Sequence, residues 1–173
     1  MTDAEARVRQ VVDGLKYDFS EFTVSHFLAH LETIRQREII LNSAPFSQGL
    51  HAFWLRADTA DYVFFDQHTH EIHQVHHILH EIGHIILGHQ PRDLASVLPP
   101  VIVEQLRSAT SVSLHGHCRM WNLDKHPEEL QAELFVRHLQ QRILIAGRLR
   151  ALTHPTSSID ALTRFTRSLG YSD

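Results

Sequence analysis

The sequence predicts an α+β fold: a small, mostly antiparallel three-stranded sheet packed beside one central helix and flanked by additional helices. Three observations predict it. Apolar residues recur at helical spacing through the first 36 residues, the period shortens to that of strands between Glu38 and Phe65, and helical spacing returns at Val75, Ile78, Leu79, Ile82, Ile85 and Ile86. The 173 residues suit one domain with a substantial core, and 43% hydrophobic with 21% charged residues is the balance of a soluble globular protein. A single domain is expected over 1–173, with N-terminal helices in 1–36, a metal-binding core in 37–145 and a C-terminal helix in 146–173.

Taken in order, Asp3 to Tyr17 carries Val8, Val11, Val12 and Leu15 on one side, a helix whose last turn Gly14 weakens. A second helix starts near Ser20 or Thr23 and runs to about Arg35, burying Phe22, Phe27, Leu28, Leu31 and Ile34. Glu38–Leu41 reads as a strand ended by the turn-prone Asn42-Ser43-Ala44-Pro45. Ala52–Leu55 and Tyr62–Phe65 read as two more, joined tightly through Asp58-Thr59-Ala60-Asp61. Thr69 is the expected N-cap of the central helix, and Gly88 is placed to end it. A hairpin directly before that helix can lend an edge strand to which an extended peptide adds. Beyond Pro91 a turn over Asp93–Leu98 and a helix over Val101–Ala109 are expected, while Ser108–Gly116 carries no clear signal. His126-Pro127-Glu128-Glu129 reads as a helix start, with Pro in the first turn and two acids near the positive end of the dipole. That helix continues to about Ile145. Thr153-His154-Pro155 breaks the chain, and Ser157 or Ser158 caps a last helix ending near Leu169-Gly170.

The central helix holds the chemistry. His80-Glu81-Ile82-Gly83-His84 places two imidazoles one turn apart on one face, where both reach one metal ion, and sets Glu81 beside them to take a proton from a metal-bound water. His80 and His84 are therefore candidate zinc ligands and Glu81 the candidate catalytic base. Of the 16 histidines, His73 and His77 continue the same face backwards. A catalytic zinc site needs a third protein ligand and one position left for water. Glu129 is the choice, since the small Ala132 one turn on lets its helix approach closely; Glu128 and Glu133 compete from the same region. His117, Arg119 and Tyr62 are candidates for stabilising an oxyanion.

His80-Glu81-Ile82-Gly83-His84-Ile85-Ile86-Leu87-Gly88-His89, followed by Glu129-Leu130-Gln131-Ala132-Glu133-Leu134-Phe135, resembles the ImmA/IrrE-type metallopeptidases, in which an HExxH helix precedes a helix of the form E-x-x-A-x-x-F. The resemblance covers roughly Arg37 to Gln140. It implies zinc held by His80, His84 and Glu129, with Glu81 as the catalytic glutamate. It also implies a cytoplasmic bacterial or phage protein that cleaves or inactivates a helix-turn-helix repressor encoded nearby, or a toxin-like component of a two-gene module.

Composition narrows the alternatives. A formal net charge of -4 gives no basic surface for direct nucleic-acid binding. Cys118 is the only cysteine, which excludes an intrachain disulfide. Neither a signal-peptide core nor a membrane-length apolar stretch is present, so a cytoplasmic location and no membrane partner are expected. The expected activity is a zinc-dependent endopeptidase of narrow specificity acting on a regulatory protein. One rival is a zinc-containing binding protein that sequesters its partner uncut; another is a separate metal or redox site at His115, His117 and Cys118.

Overall fold

Local capping chemistry starts the helices where short polar side chains can take up free backbone amides. Thr2 accepts from the Glu5 amide to open α1 (Asp3–Gly14), and Thr23 accepts from His26 to open α2 (Val24–Arg35). Ser20, the alternative start for α2, lies instead in a single 3-10 turn, Phe19–Glu21. The first helix stops short of the predicted Tyr17. The chain turns through Lys16 (φ 50°), and the Tyr17 ring packs edge-on to Phe27 at 5.0 Å between centroids. The computed structural model describes residues 2–46, 49–96, 98–109, 115–120 and 126–153.

After α2 come β1 (Glu38–Ala44), β2 (Leu50–Arg56) and β3 (Ala60–Asp66); β1 starts where expected and runs longer, and the other two extend past both expected ends. β1 continues through the predicted turn at Asn42–Ala44 because those residues still pair with Phe64, Phe65 and Asp66. α3 (Glu71–Leu87) follows, then β4 (Arg92–Asp93), a 3-10 turn Leu94–Ser96, α4 (Pro100–Ala109), β5 (His115–Met120) and α5 (Pro127–Thr153). α5 runs unbroken to Thr153, past the expected end near Ile145. The proposed caps Ser157 and Ser158 and the last helix lie outside the described residues.

The sheet departs from expectation in size and direction. It is mixed and five-stranded, in the order β1-β3-β2-β5-β4, with β1 parallel to β3 and the other pairings antiparallel. The β2–β3 hairpin forms as predicted, and β1 adds to its far edge rather than folding back on β2. Both hairpin strands are thus interior, so neither supplies the free edge expected beside α3; β1 and the two-residue β4 are the edges.

Side-chain alternation divides the apolar residues between two cores. Trp54, Val63 and Ile39 face α3, where they join Ile78, Leu79, Ile82 and Ile85, together with Phe27 and Leu31 of α2 and Phe135 and Leu139 of α5. Phe53 and Leu55 point the other way, onto Leu94, Leu98, Val103 and Leu106. β2 is consequently covered on both faces, which explains why Ala52–Leu55 is a continuous apolar run rather than an alternating one. Burying one such side chain stabilises by about 1.5–3 kcal/mol, and this layer packs α3 against the sheet and α5.

Candidate metal centre

α3 is capped by His70, whose Nδ1 accepts from the Ile72 amide at 3.4 Å. Thr69, the predicted cap, instead donates its hydroxyl to the Asp66 carbonyl at 3.0 Å. Gly88 ends the helix in the left-handed region (φ 71°), its amide donating to the His84 and Ile85 carbonyls. From His77 to Ile85 every residue is buried, including His80, Glu81 and His84 at 2, 0 and 1% exposure. Charged and polar side chains so deep in a core require partners that offset their lost hydration.

α5 supplies the partner. Pro127 suits the first turn, and Glu128 and Glu129 sit where the helix N-terminus favours negative charge. The approach of α5 to α3 depends on two small residues. A Cβ added to Gly83 would lie 3.1 Å from Phe135 Cδ1 and 3.3 Å from the Ala132 Cα. With hydrogen at Gly83 and a methyl at Ala132, the helices close until Glu129 reaches the two histidines.

Three side chains then converge. Glu129 Oε2 stands 3.1 Å from His80 Nε2 and 3.5 Å from His84 Nε2, and the two Nε2 atoms are 3.2 Å apart. A single proton on His80 Nε2 could join only one of these contacts, whereas a cation could join all three. Ligands about 2.0–2.1 Å from a tetrahedral ion are separated by about 3.3 Å, the spacing found here. His80, His84 and Glu129 form a group that could hold a metal ion. The donor set alone does not choose between zinc and other divalent ions.

The competing carboxylates go elsewhere. Glu128 Oε2 pairs with Arg92 Nη2 at 2.8 Å and lies 3.5 Å from His126 Nδ1. Glu133 lies behind the cluster, its Oε2 at 3.3 Å from His76 Nε2 and 3.6 Å from His80 Nδ1, the nitrogen turned away from Glu129. It can orient His80 as carboxylates behind metal-bound histidines do. On the other side, His89 Nδ1 stands 2.8 Å from His84 Nδ1, and its Nε2 is 3.3 Å from Gln131 Oε1.

The remaining sequence candidates separate. His77 stacks on His51 of β2, with ring centroids 4.9 Å apart and planes within 8°. His73 is exposed, its ring edge-on to that of His70. Tyr62 packs with the Leu50, Phe53 and Leu55 cluster on the sheet face away from α3, which removes it as an oxyanion donor to this group. The side chains of His117, Cys118 and Arg119 lie outside what the structure describes. Sequence reasoning missed His89 and Gln131; the signal available was the glycine at 88, read only as a stop.

Compared with known proteins, the chain matches no protein-family model, no curated protein and no solved structure. Among the described residues, no helix is long and apolar enough to cross a membrane.

Proposed function

We propose that this protein is a zinc-dependent endopeptidase of narrow specificity, with His80, His84 and Glu129 as metal ligands and Glu81 as the proton-transferring base. The observation that carries the reading is the 3.1–3.5 Å triangle of two imidazole nitrogens and a carboxylate oxygen, next in sequence to a second, fully buried carboxylate. Zinc at such a His₂Glu set supplies Lewis acidity, polarising a peptide carbonyl and acidifying a water. Glu81 takes the proton of the attacking water at a carboxylate oxygen and delivers it to the leaving amine nitrogen. Glu133, with Oε2 at 3.6 Å from His80 Nδ1, is placed to orient the His80 ring. The proposed substrate is a regulatory protein, a helix-turn-helix repressor encoded nearby being the first to test; that choice rests on the resemblance to ImmA/IrrE-type metallopeptidases.

A second reading is a zinc-containing or toxin-like protein that sequesters its partner without cutting it. It is favoured by the enclosure of the group, because no ligand side chain is more than 11% exposed and catalytic zinc sites keep an open position. Glu81→Gln separates the two. Zinc content should stay near that of the wild type while cleavage of a co-expressed partner repressor is lost. Intact capture of the partner by wild type and variant alike supports sequestration, and full cleavage by the variant removes Glu81 from the mechanism.

A further inference from the structure

We infer that His89, braced by Gln131, is a positioning residue that fixes the tautomer of His84. The inference rests on the metal-centre reading and adds to it a residue outside the ligand set. A histidine that ligates through Nε2 must leave that nitrogen bare and, if neutral, carry its proton on Nδ1. His84 Nδ1 stands 2.8 Å from His89 Nδ1, a separation that holds one shared proton. When His84 donates, His89 Nδ1 accepts, and a neutral His89 carries its own proton on Nε2. That Nε2 faces Gln131 Oε1, an acceptor, at 3.3 Å. Each atom along His84, His89 and Gln131 then has a matched role. The reverse direction puts a proton on His84 Nε2, inside the ligand triangle, and opposes two acceptors at Gln131.

The backbone explains how His89 reaches this place. The left-handed Gly88 turns the chain back on α3, and the His89 amide donates to the His84 carbonyl at 3.1 Å. The His89 ring is brought edge-on to the His84 ring, 4.9 Å between centroids and 69° between planes, with both rings buried. The turn that ends the helix thereby also sets the proton position on one of its own ligands.

Zinc affinity by chelator competition, measured on wild type, His89→Asn and His89→Leu, tests this. Asn places an oxygen acceptor near the position of His89 Nδ1; Leu fills similar space with none. Loss of such an outer partner typically weakens metal binding about 10- to 100-fold, so His89→Leu should show that loss and His89→Asn should recover most of it. Thermal unfolding of the metal-free variants keeps a folding defect distinct from a positioning one. Long-range ¹H–¹⁵N spectra of histidine-labelled, metal-free wild type should find the His84 proton on Nδ1 and the His89 proton on Nε2. Zinc bound equally well by wild type and His89→Leu, equal losses in Leu and Asn, or the opposite tautomers overturns the inference alone. Failure of the wild type to bind zinc overturns the metal-centre reading and this inference with it.

Discussion

Among the described residues, two buried polar clusters are opposite in kind. Asp61 on β3 is completely buried among donors: Arg35 Nη2 at 2.7 Å, Arg37 Nε at 3.1 Å, Trp54 Nε1 at 3.3 Å and Arg56 Nε at 3.8 Å. Arg37 also donates to the Ala57, Asp58 and Ala60 carbonyls, and Arg56 lies over the Trp54 ring at 5.0 Å. One anion has drawn in three cations, and the result fastens the β2–β3 turn to the end of α2. At His80, His84 and Glu129, by contrast, electron-pair donors face one another. Burial of charge does not by itself mark a site. What distinguishes the second cluster is that a cation would complete it, whereas the Asp61 carboxylate already has cations facing it.

The largest expected effect tests that contrast at the ligand triangle. Zinc at about a thousand times its Kd should stabilise the wild type by about 4 kcal/mol, read as a rise in the unfolding midpoint that a chelator reverses. Glu129→Ala should gain nothing from zinc, and an equal gain in both would dissolve the distinction. Next is Asp61→Ala, which strands buried guanidinium groups. Because the three arginine side chains are 19, 23 and 41% exposed, we expect the low end of the usual range, about 3 kcal/mol by denaturant unfolding. Its increment from zinc should equal the wild type's if the two clusters act independently, and a smaller one would mean that they are coupled. The smallest effect is expected from Gly83→Ala, about 1–2 kcal/mol from overpacking against Ala132 and Phe135. Here stability and zinc affinity should fall together, because pushing α5 away carries Glu129 with it.

Much of this arrangement was readable in the chain. Helical and strand periods located α1, α2, the β2–β3 hairpin and α3, and Pro127 with two acids marked the start of α5, since apolar spacing and helix-start chemistry are local signals. β5 was not readable, because His115-Gly116-His117-Cys118-Arg119-Met120 lacks the β-branched and aromatic residues of a strand; β2 and β4 recruit it by backbone pairing. The parallel pairing of β1 with β3 escaped for a related reason: alternation identifies a strand but not its neighbour. At the site, His80 and His84 share a helical face by spacing alone. Glu128, Glu129 and Glu133 crowd one another in sequence, and only the packing of Gly83 on Ala132 decides which faces the histidines. The reach of His89 depends on one left-handed turn at Gly88, whose direction no periodicity reports.

His80 and Glu129 meet although 49 residues separate them along the chain. An ion held between them would close a ring of chain containing β4, α4 and β5. Closing a ring of that length removes roughly 4 kcal/mol of freedom from the unfolded ensemble by loop-entropy arithmetic, as much as a disulfide would. A sequence with one cysteine cannot form such a bridge within itself. The ligand triangle gives this chain the means for a cross-link of the same span, one that opens by competition for the ion rather than by reduction.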